Sequence, residues 1–146
     1  MKTASWILLA LAGALTLLGG LASLSNAYFD GPERFAGVSI DVLANGNADV
    51  ITALRARRAT AAAYAAGFAA FLLVLTLGPY RRGDVWAWWA ILSGALTFAL
   101  LAIARVAFLG TWSGAGTALV FLVVIGIGLA LDPRPLRAVP PASLPS

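Results

Sequence analysis

Cysteine and histidine are both absent from this 146-residue chain, and methionine occurs once, at Met1. Without cysteine, the chain has no disulfide, no thiol redox relay and no thiolate metal site. Without histidine, it lacks the commonest protein ligand of haem, copper and zinc. We therefore expect no metal and no cofactor, and the composition excludes thiol oxidoreductases and bis-histidine electron carriers.

Charge is also scarce: charged residues make up 11% of the chain, whereas 61% is hydrophobic. Soluble domains contain roughly 25% charged and 45–50% apolar residues. Four stretches carry no charge at all, namely residues 3–29, 59–80, 85–104 and 106–131. Each is as long as the roughly 20 apolar residues that cross a hydrocarbon core of about 30 Å. The sequence therefore predicts a multi-pass integral membrane protein and excludes a nucleic-acid-binding module.

The fold class that we expect is all-α, as an antiparallel four-helix transmembrane bundle with a polar loop cap between helices 1 and 2. The boundaries expected for the four helices are residues 4–24, 49–78, 85–108 and 113–131. The cap is the loop at 25–48, and the proline-rich residues 132–146 are expected to form a flexible tail. Within the cap, residues 38–42 alternate with period two before an Asn45-Gly46 turn, which fits a hairpin strand or an interfacial segment.

Punctuating residues indicate where the helices begin and end. Asn47 or Asp49 is expected to cap the second helix, and Asp84 the third. Pro79 is expected to stop the second helix. Small residues predict where helices pack closely, because they let backbones approach one another. The small residues singled out for this role are Ala10, Gly13, Ala14, Gly19 and Gly20 in the first helix and Ala63 and Gly67 in the second.

The N-terminal stretch and the orientation of the chain allow two interpretations each. Residues 1–27 fit a first transmembrane helix, which we favour, or a secretion signal cleaved after Ala27. The positive-inside rule gives a near tie between the two sides of the membrane. One side carries Lys2, Arg81, Arg82, Arg134 and Arg137; the other carries Arg34, Arg55, Arg57, Arg58 and Arg105. The short N-terminus with Lys2 favours both termini in the cytoplasm.

Arg105 is isolated between two charge-free stretches, so its guanidinium needs a partner or a route to water. It can snorkel to the headgroups, because it lies about one turn from the end of its helix. It can also bridge to Asp41 or Asp49 of the loop above, or recognise an anionic ligand. We favour snorkelling or structural pairing.

Arg55, Arg57 and Arg58 form the densest basic cluster in the chain. On a helix, Arg55 and Arg58 are three residues apart and share a face, whereas Arg57 points elsewhere. The cluster fits an anchor to anionic lipid, at about 1 kcal/mol per arginine, and also a site for an anionic ligand. We favour the anchor. The tryptophans fit an interfacial belt better than a cofactor pocket; they are Trp86, Trp88, Trp89 and Trp112.

Catalytic groups are not assembled anywhere in the sequence. All six carboxylates lie outside the charge-free stretches, and no nucleophile–base pair, metal-ligand spacing or phosphate loop is present. We therefore expect no enzyme activity. An enzyme that acts on lipid would need Asp41 or Asp49 beside Arg105, and we favour it least.

Several short segments of the chain occur in an order that resembles the order in small bacterial four-helix membrane proteins, distantly like the DoxX-type proteins. These segments are Phe-Ala-Gly-Val at 35–38, Leu-Arg-Ala at 54–56, the arginine pair at 81–82, and Arg105 followed by a glycine-rich turn. Arg57 and Arg58 beside Arg55 depart from that pattern. The resemblance implies a four-helix fold in the bacterial inner membrane and supplies no reaction.

By elimination, the sequence indicates an accessory or assembly subunit or a lipid-binding scaffold. Its expected partners are membrane lipids, other membrane-protein subunits or a second copy of the chain. The alternative is a binder or carrier of a small molecule or an anionic lipid. In that alternative, Arg105, Arg55 and Arg58 line a site beneath the cap, near Asp41 and Asp49.

Overall fold

Helices form almost all of the chain that the structure describes. This structure is a computed structural model, which describes residues 2–29, 34–35, 38–110, 112 and 115–132. Its elements are α1 (Lys2–Tyr28), β1 (Arg34–Phe35), β2 (Val38–Ser39), α2 (Ile40–Ala44), α3 (Ala48–Leu75), a π-helical segment (Thr76–Tyr80), α4 (Val85–Leu109) and α5 (Ala115–Ala130). The predicted all-α class is confirmed. The predicted tail lies outside the described residues, apart from Asp132.

Three helical stretches are long and apolar enough to cross a membrane, which supports the membrane-protein interpretation. They are Thr3–Tyr28, Ala48–Tyr80 and Val85–Phe108, with mean hydropathies of 2.2, 1.9 and 2.0. Large apolar side chains lie on their surfaces; Leu15 of α1 and Leu101 of α4 are each 69% exposed. Contiguous exposed apolar surface is rare on soluble monomers, whereas lipid covers it at no cost.

The last helix, α5, is apolar but shorter than the other three. Its 16 residues span about 24 Å at 1.5 Å per residue, against a hydrocarbon core of about 30 Å. The predicted fourth span therefore corresponds to a helix that falls short of the usual crossing length.

The described chain forms two compact units, and the division falls within α1 and within α3. One unit holds the described residues up to Ala12 and from Val74 onward; the other holds Gly13–Leu73. In the first unit, α4 packs along α5 and also contacts the π-helical segment. Ala87, Ile91 and Ala95 of α4 are buried there.

In the second unit, α1 packs closely on α3 through glycine. A Cβ atom added at Gly20 would lie 3.1 Å from the Ala66 nitrogen and 3.3 Å from the Ala62 oxygen. A Cβ added at Gly13 would lie 2.9 Å from Leu73 Cγ. Gly13 and Gly20 therefore have the packing role that the sequence predicts.

Three other small residues do not pack as predicted. A Cβ at Gly19 or Gly67 would meet nothing within 4 Å, and Ala63 is exposed. Ala62 and Ala69 are buried on α3 instead. The helical register explains the error, since the buried stripe of α3 lies one residue away from the predicted pair.

The loop between α1 and α3 contains short elements in its described part. β1 and β2 pair antiparallel, with Arg34 opposite Ser39 and Phe35 opposite Val38. The alternation over 38–42 corresponds to a strand only at its first two residues, Val38 and Ser39. The helix α2 follows at once, because the Ser39 hydroxyl accepts from the Val42 N–H at 3.4 Å and caps it. Asn45 (φ +48°) ends α2 in the left-handed region. The Asn-Gly pair is therefore a helix C-cap and not a hairpin turn.

The prediction that Pro79 stops the second helix is wrong, because Pro79 lies inside the π-helical segment. Proline lacks an N–H and its ring crowds the carbonyl four residues earlier. The wider π turn relieves this conflict, and the N–H groups of Gly83 and Asp84 donate to the Pro79 carbonyl at 3.1 and 3.0 Å. The chain leaves the helix at Gly83, whose φ is +104°.

The two predicted N-caps differ in their side-chain contacts. Asn47 Oδ1 accepts from the N–H groups of Asp49 and Val50 at 3.0 and 3.3 Å, so Asn47 caps α3 as predicted. Asp84 occupies the N-cap position of α4, but its side chain makes no capping hydrogen bond.

Candidate functional site

A cleft of about 320 Å³ lies in the second unit, between the end of α1 and the first turns of α3. Its lining combines a guanidinium and two hydroxyl-bearing side chains with three alanines. The lining residues are Ala27, Tyr28, Thr52, Arg55, Ala56 and Ala59. A concave, largely apolar surface with a single cationic group suits a ligand that is partly apolar and partly anionic.

Helical spacing places the α3 side chains of the cleft on one face. Thr52, Arg55, Ala56 and Ala59 follow one another at intervals of three, one and three residues, so their side chains point to the same side of α3. The Thr52 hydroxyl donates to the Ala48 carbonyl at 2.9 Å. On α1, Ala27 is buried, whereas Tyr28 is exposed.

Arg55 presents its side chain partly to protein and partly to the cleft. It is half-buried, and its Nε atom is fully buried. Burial keeps a guanidinium away from bulk water, which strengthens its attraction for an anion.

The three arginines of the predicted cluster diverge. Arg58 is half-buried, and its Nε donates to Ser23 Oγ of α1 at 3.2 Å. Arg57 is exposed and does not line the cleft. Arg55 and Arg58 are thus the more buried pair and Arg57 points elsewhere, but only Arg55 lines the cleft.

The other predicted site residues lie away from the cleft or outside the described part. Asp41 is exposed in the first turn of α2, and Asp49 is exposed in the first turn of α3. Neither carboxylate lines the cleft. Arg105 belongs to α4, but its side chain lies outside the described residues. Its snorkelling, its bridge to Asp41 or Asp49, and its role toward an anion stay predictions.

Sequence reasoning missed a buried hydroxyl pair in the first unit. Ser5 Oγ of α1 donates to the Gly128 carbonyl of α5 at 2.6 Å, and it lies 2.5 Å from the Tyr80 hydroxyl. Because the serine proton points to Gly128, the tyrosine O–H donates to Ser5. Ser5 is fully buried and Tyr80 is 3% exposed. The signal in the sequence was weak, because Ser5 shares its uncharged stretch with Ser23 and Ser25, and serines are common in transmembrane helices.

Trp88 departs from the predicted interfacial belt. It is 6% exposed, its Nε1 donates to the Leu129 carbonyl at 3.2 Å, and its ring meets Trp89 edge to face at 4.9 Å. Trp86, Trp89 and Trp112 are 58%, 49% and 69% exposed. The belt interpretation thus fits the exposed tryptophans, whereas Trp88 joins α4 to α5.

Polar and charged side chains of the first unit form contacts between its helical segments. The Arg81 guanidinium lies 4.8 Å from the centre of the Trp6 ring, within cation–π range. Within the described ranges, no three or more aspartates and glutamates cluster as metal ligands. The hydroxyls of Ser5 and Tyr80 satisfy each other and a backbone carbonyl, which is the arrangement of a structural contact.

No protein-family model, curated protein or solved structure matches this chain. The resemblance to DoxX-type proteins therefore stays a prediction from the sequence.

Proposed function

We propose that this chain is a multi-pass integral membrane protein that acts without catalysis, as a lipid-binding scaffold. The observation that carries the proposal is the surface of the long helices. Leu18 of α1, Val74 of α3 and Leu100 of α4 are 63%, 67% and 66% exposed on stretches long enough to cross a bilayer. In a bilayer, the acyl chains surround such apolar side chains, so their exposure on the protein surface is not unfavourable there.

The cleft supports lipid as the bound partner. It joins three alanines to one arginine at the end of the α1 span, where the apolar stretch gives way to the loop. A phospholipid carries the same combination of apolar and charged groups at that depth. A volume of about 320 Å³ also falls at the lower end of small-molecule pockets, so a carrier of a small anion is the alternative function.

We further propose that four helices cross the bacterial cell membrane in alternating directions, with the loop between α1 and α3 as a cap. Both termini would then lie in the cytoplasm. The charge-free stretch 106–131 supports a fourth crossing. A 16-residue α5 would need the bilayer to thin locally, at a cost of fractions of a kcal/mol per Å of mismatch.

Membrane fractionation followed by lipid analysis tests the proposal. The full chain should stay in the membrane pellet after washes with high salt and alkaline carbonate. After purification in a mild detergent, extraction should recover phospholipid in stoichiometric amount. Release of the chain by carbonate would contradict membrane insertion. Co-purification of a stoichiometric protein partner without lipid would contradict the lipid-binding scaffold and indicate an assembly subunit.

A further inference from the structure

We propose that the cleft binds the phosphate group of an anionic phospholipid, with Arg55 as the residue that selects the negative charge. This inference rests on the proposed lipid-binding function and names the lipid class and the selecting residue. In this cleft, an arginine, hydroxyl-bearing side chains and apolar groups line one concavity.

The depth of the cleft matches the phosphate layer of a bilayer. Ala27 and Tyr28 are the last two residues of the α1 span. On α3, the lining ends at Ala59, where the charge-free stretch 59–80 begins. The cleft therefore lies at the boundary between the uncharged and the charged parts of both helices, which is where headgroups meet hydrocarbon.

The chemistry of the lining favours an anion over a zwitterion. Arg55 is the one charged residue among the six that line the cleft, and its guanidinium offers a planar fork of donors suited to phosphate. Among the described residues, the lining contains no carboxylate to attract the ammonium of a choline or ethanolamine headgroup. The Thr52 hydroxyl directs its proton to the Ala48 carbonyl, so Arg55 is the principal donor from α3.

The apolar part of the lining favours a lipid over a free anion. Ala27, Ala56 and Ala59 form half of the lining residues, and inorganic phosphate would leave their surface without a partner. The glycerol and upper acyl carbons of a phospholipid would cover these methyl groups while the phosphate reaches Arg55.

Native mass spectrometry of the purified full chain tests this inference. The chain is titrated with phosphatidylglycerol and, separately, with phosphatidylcholine of the same acyl composition. We expect the wild type to bind the anionic lipid about tenfold more tightly, and Arg55→Gln to remove most of that preference, since charge-assisted hydrogen bonds are the strong ones.

Arg57→Gln is the matched control. It removes the same charge two residues away, from an exposed side chain that does not line the cleft. We expect its preference for the anionic lipid to stay within about twofold of the wild type, because a titration in detergent offers single lipid molecules and not the anionic bilayer surface that attracts an exposed arginine. Equal losses in the two variants would show a diffuse electrostatic effect and overturn the inference.

A second variant keeps the inference testable if Arg55→Gln does not fold. Ala56→Phe fills the cleft from an exposed position and leaves every arginine in place. It should lose the preference for the anionic lipid as Arg55→Gln does. If Ala56→Phe keeps that preference, lipid binds elsewhere and the inference is wrong.

Two further outcomes separate the inference from the proposed function. Displacement of bound phosphatidylglycerol by millimolar inorganic phosphate would identify a free anion as the ligand and overturn the lipid assignment. Equal binding of both lipids by the wild type would overturn the role of Arg55 and leave the scaffold intact. Failure to bind either lipid would contradict the proposed function itself.

Discussion

Ser5 shows how a single polar residue acts inside an apolar helix. Its hydroxyl bonds both to the Gly128 carbonyl of α5 and to the Tyr80 hydroxyl of the π-helical segment. The side chain is fully buried, so no water replaces these partners. One serine thus joins three elements of the first unit.

Substitution Ser5→Ala should lower the stability of the folded chain by about 1–2 kcal/mol, because it leaves buried polar groups with fewer hydrogen bonds. The measurement is the shift in the thermal unfolding midpoint in detergent, followed by circular dichroism. Ser25→Ala is the control, since Ser25 is an exposed serine of the same helix. We expect that control to change stability by less than about 0.5 kcal/mol. Equal effects of the two substitutions would contradict the role of the Ser5 contacts.

At the scale of elements, the contact of α1 with α3 depends on which glycine faces the partner helix. Gly19 and Gly20 are adjacent, yet only Gly20 approaches Ala62 and Ala66 of α3. The sequence marks both glycines as suited to packing. It does not give the rotation of the helix about its axis, which is set by the side chains that pack across from it.

The adjacent pair provides a matched test of this helix contact. Gly20→Ile should destabilise the chain by about 1–3 kcal/mol, because the added side chain meets backbone atoms of α3 at the close distances above. Gly19→Ile introduces the same atoms into open space and should change stability by less than about 0.5 kcal/mol. Both are measured by chemical unfolding in detergent micelles. A Gly19→Ile variant as unstable as Gly20→Ile would show that intrinsic helix effects, and not the contact, decide the outcome.

For the whole molecule, the number of crossings decides where the C-terminal residues lie. Three helical stretches are long enough to span the bilayer, and α5 is shorter. With four crossings and the proposed orientation, Thr3, Arg82 and Ser146 would all lie in the cytoplasm, and Val42 would lie outside. With three crossings, Ser146 lies on the same side as Val42.

The absence of cysteine makes this prediction directly testable, since each introduced cysteine is the only thiol in the chain. In intact cells, a membrane-impermeant maleimide should label Val42→Cys, whose side chain is exposed. It should leave Thr3→Cys, Arg82→Cys and Ser146→Cys unlabelled until the membrane is opened. Labelling of Ser146→Cys in intact cells would indicate that the chain crosses the membrane three times. Labelling of Thr3→Cys and Arg82→Cys, with Val42→Cys protected, would reverse the orientation.

The candidate site was only partly accessible from the sequence. The spacing of Arg55 and Arg58 indicates a shared face, and these two side chains are more buried than that of Arg57. The sequence does not show that Ser23 binds Arg58 or that Ala27 and Tyr28 complete a cleft around Arg55. These partners come from α1, and residues distant in sequence meet only when two helices pack in a particular register.

The sequence by itself determined the helical class and the apolar length of the spans, because both follow from local composition. A long uncharged stretch forms a helix in lipid wherever it packs, since its backbone groups must bond to one another. The tertiary structure decided which glycine meets α3, why Pro79 continues a helix, and where Ser5 finds its partners. Each depends on contacts between segments far apart in the chain, and composition carries no information about those contacts.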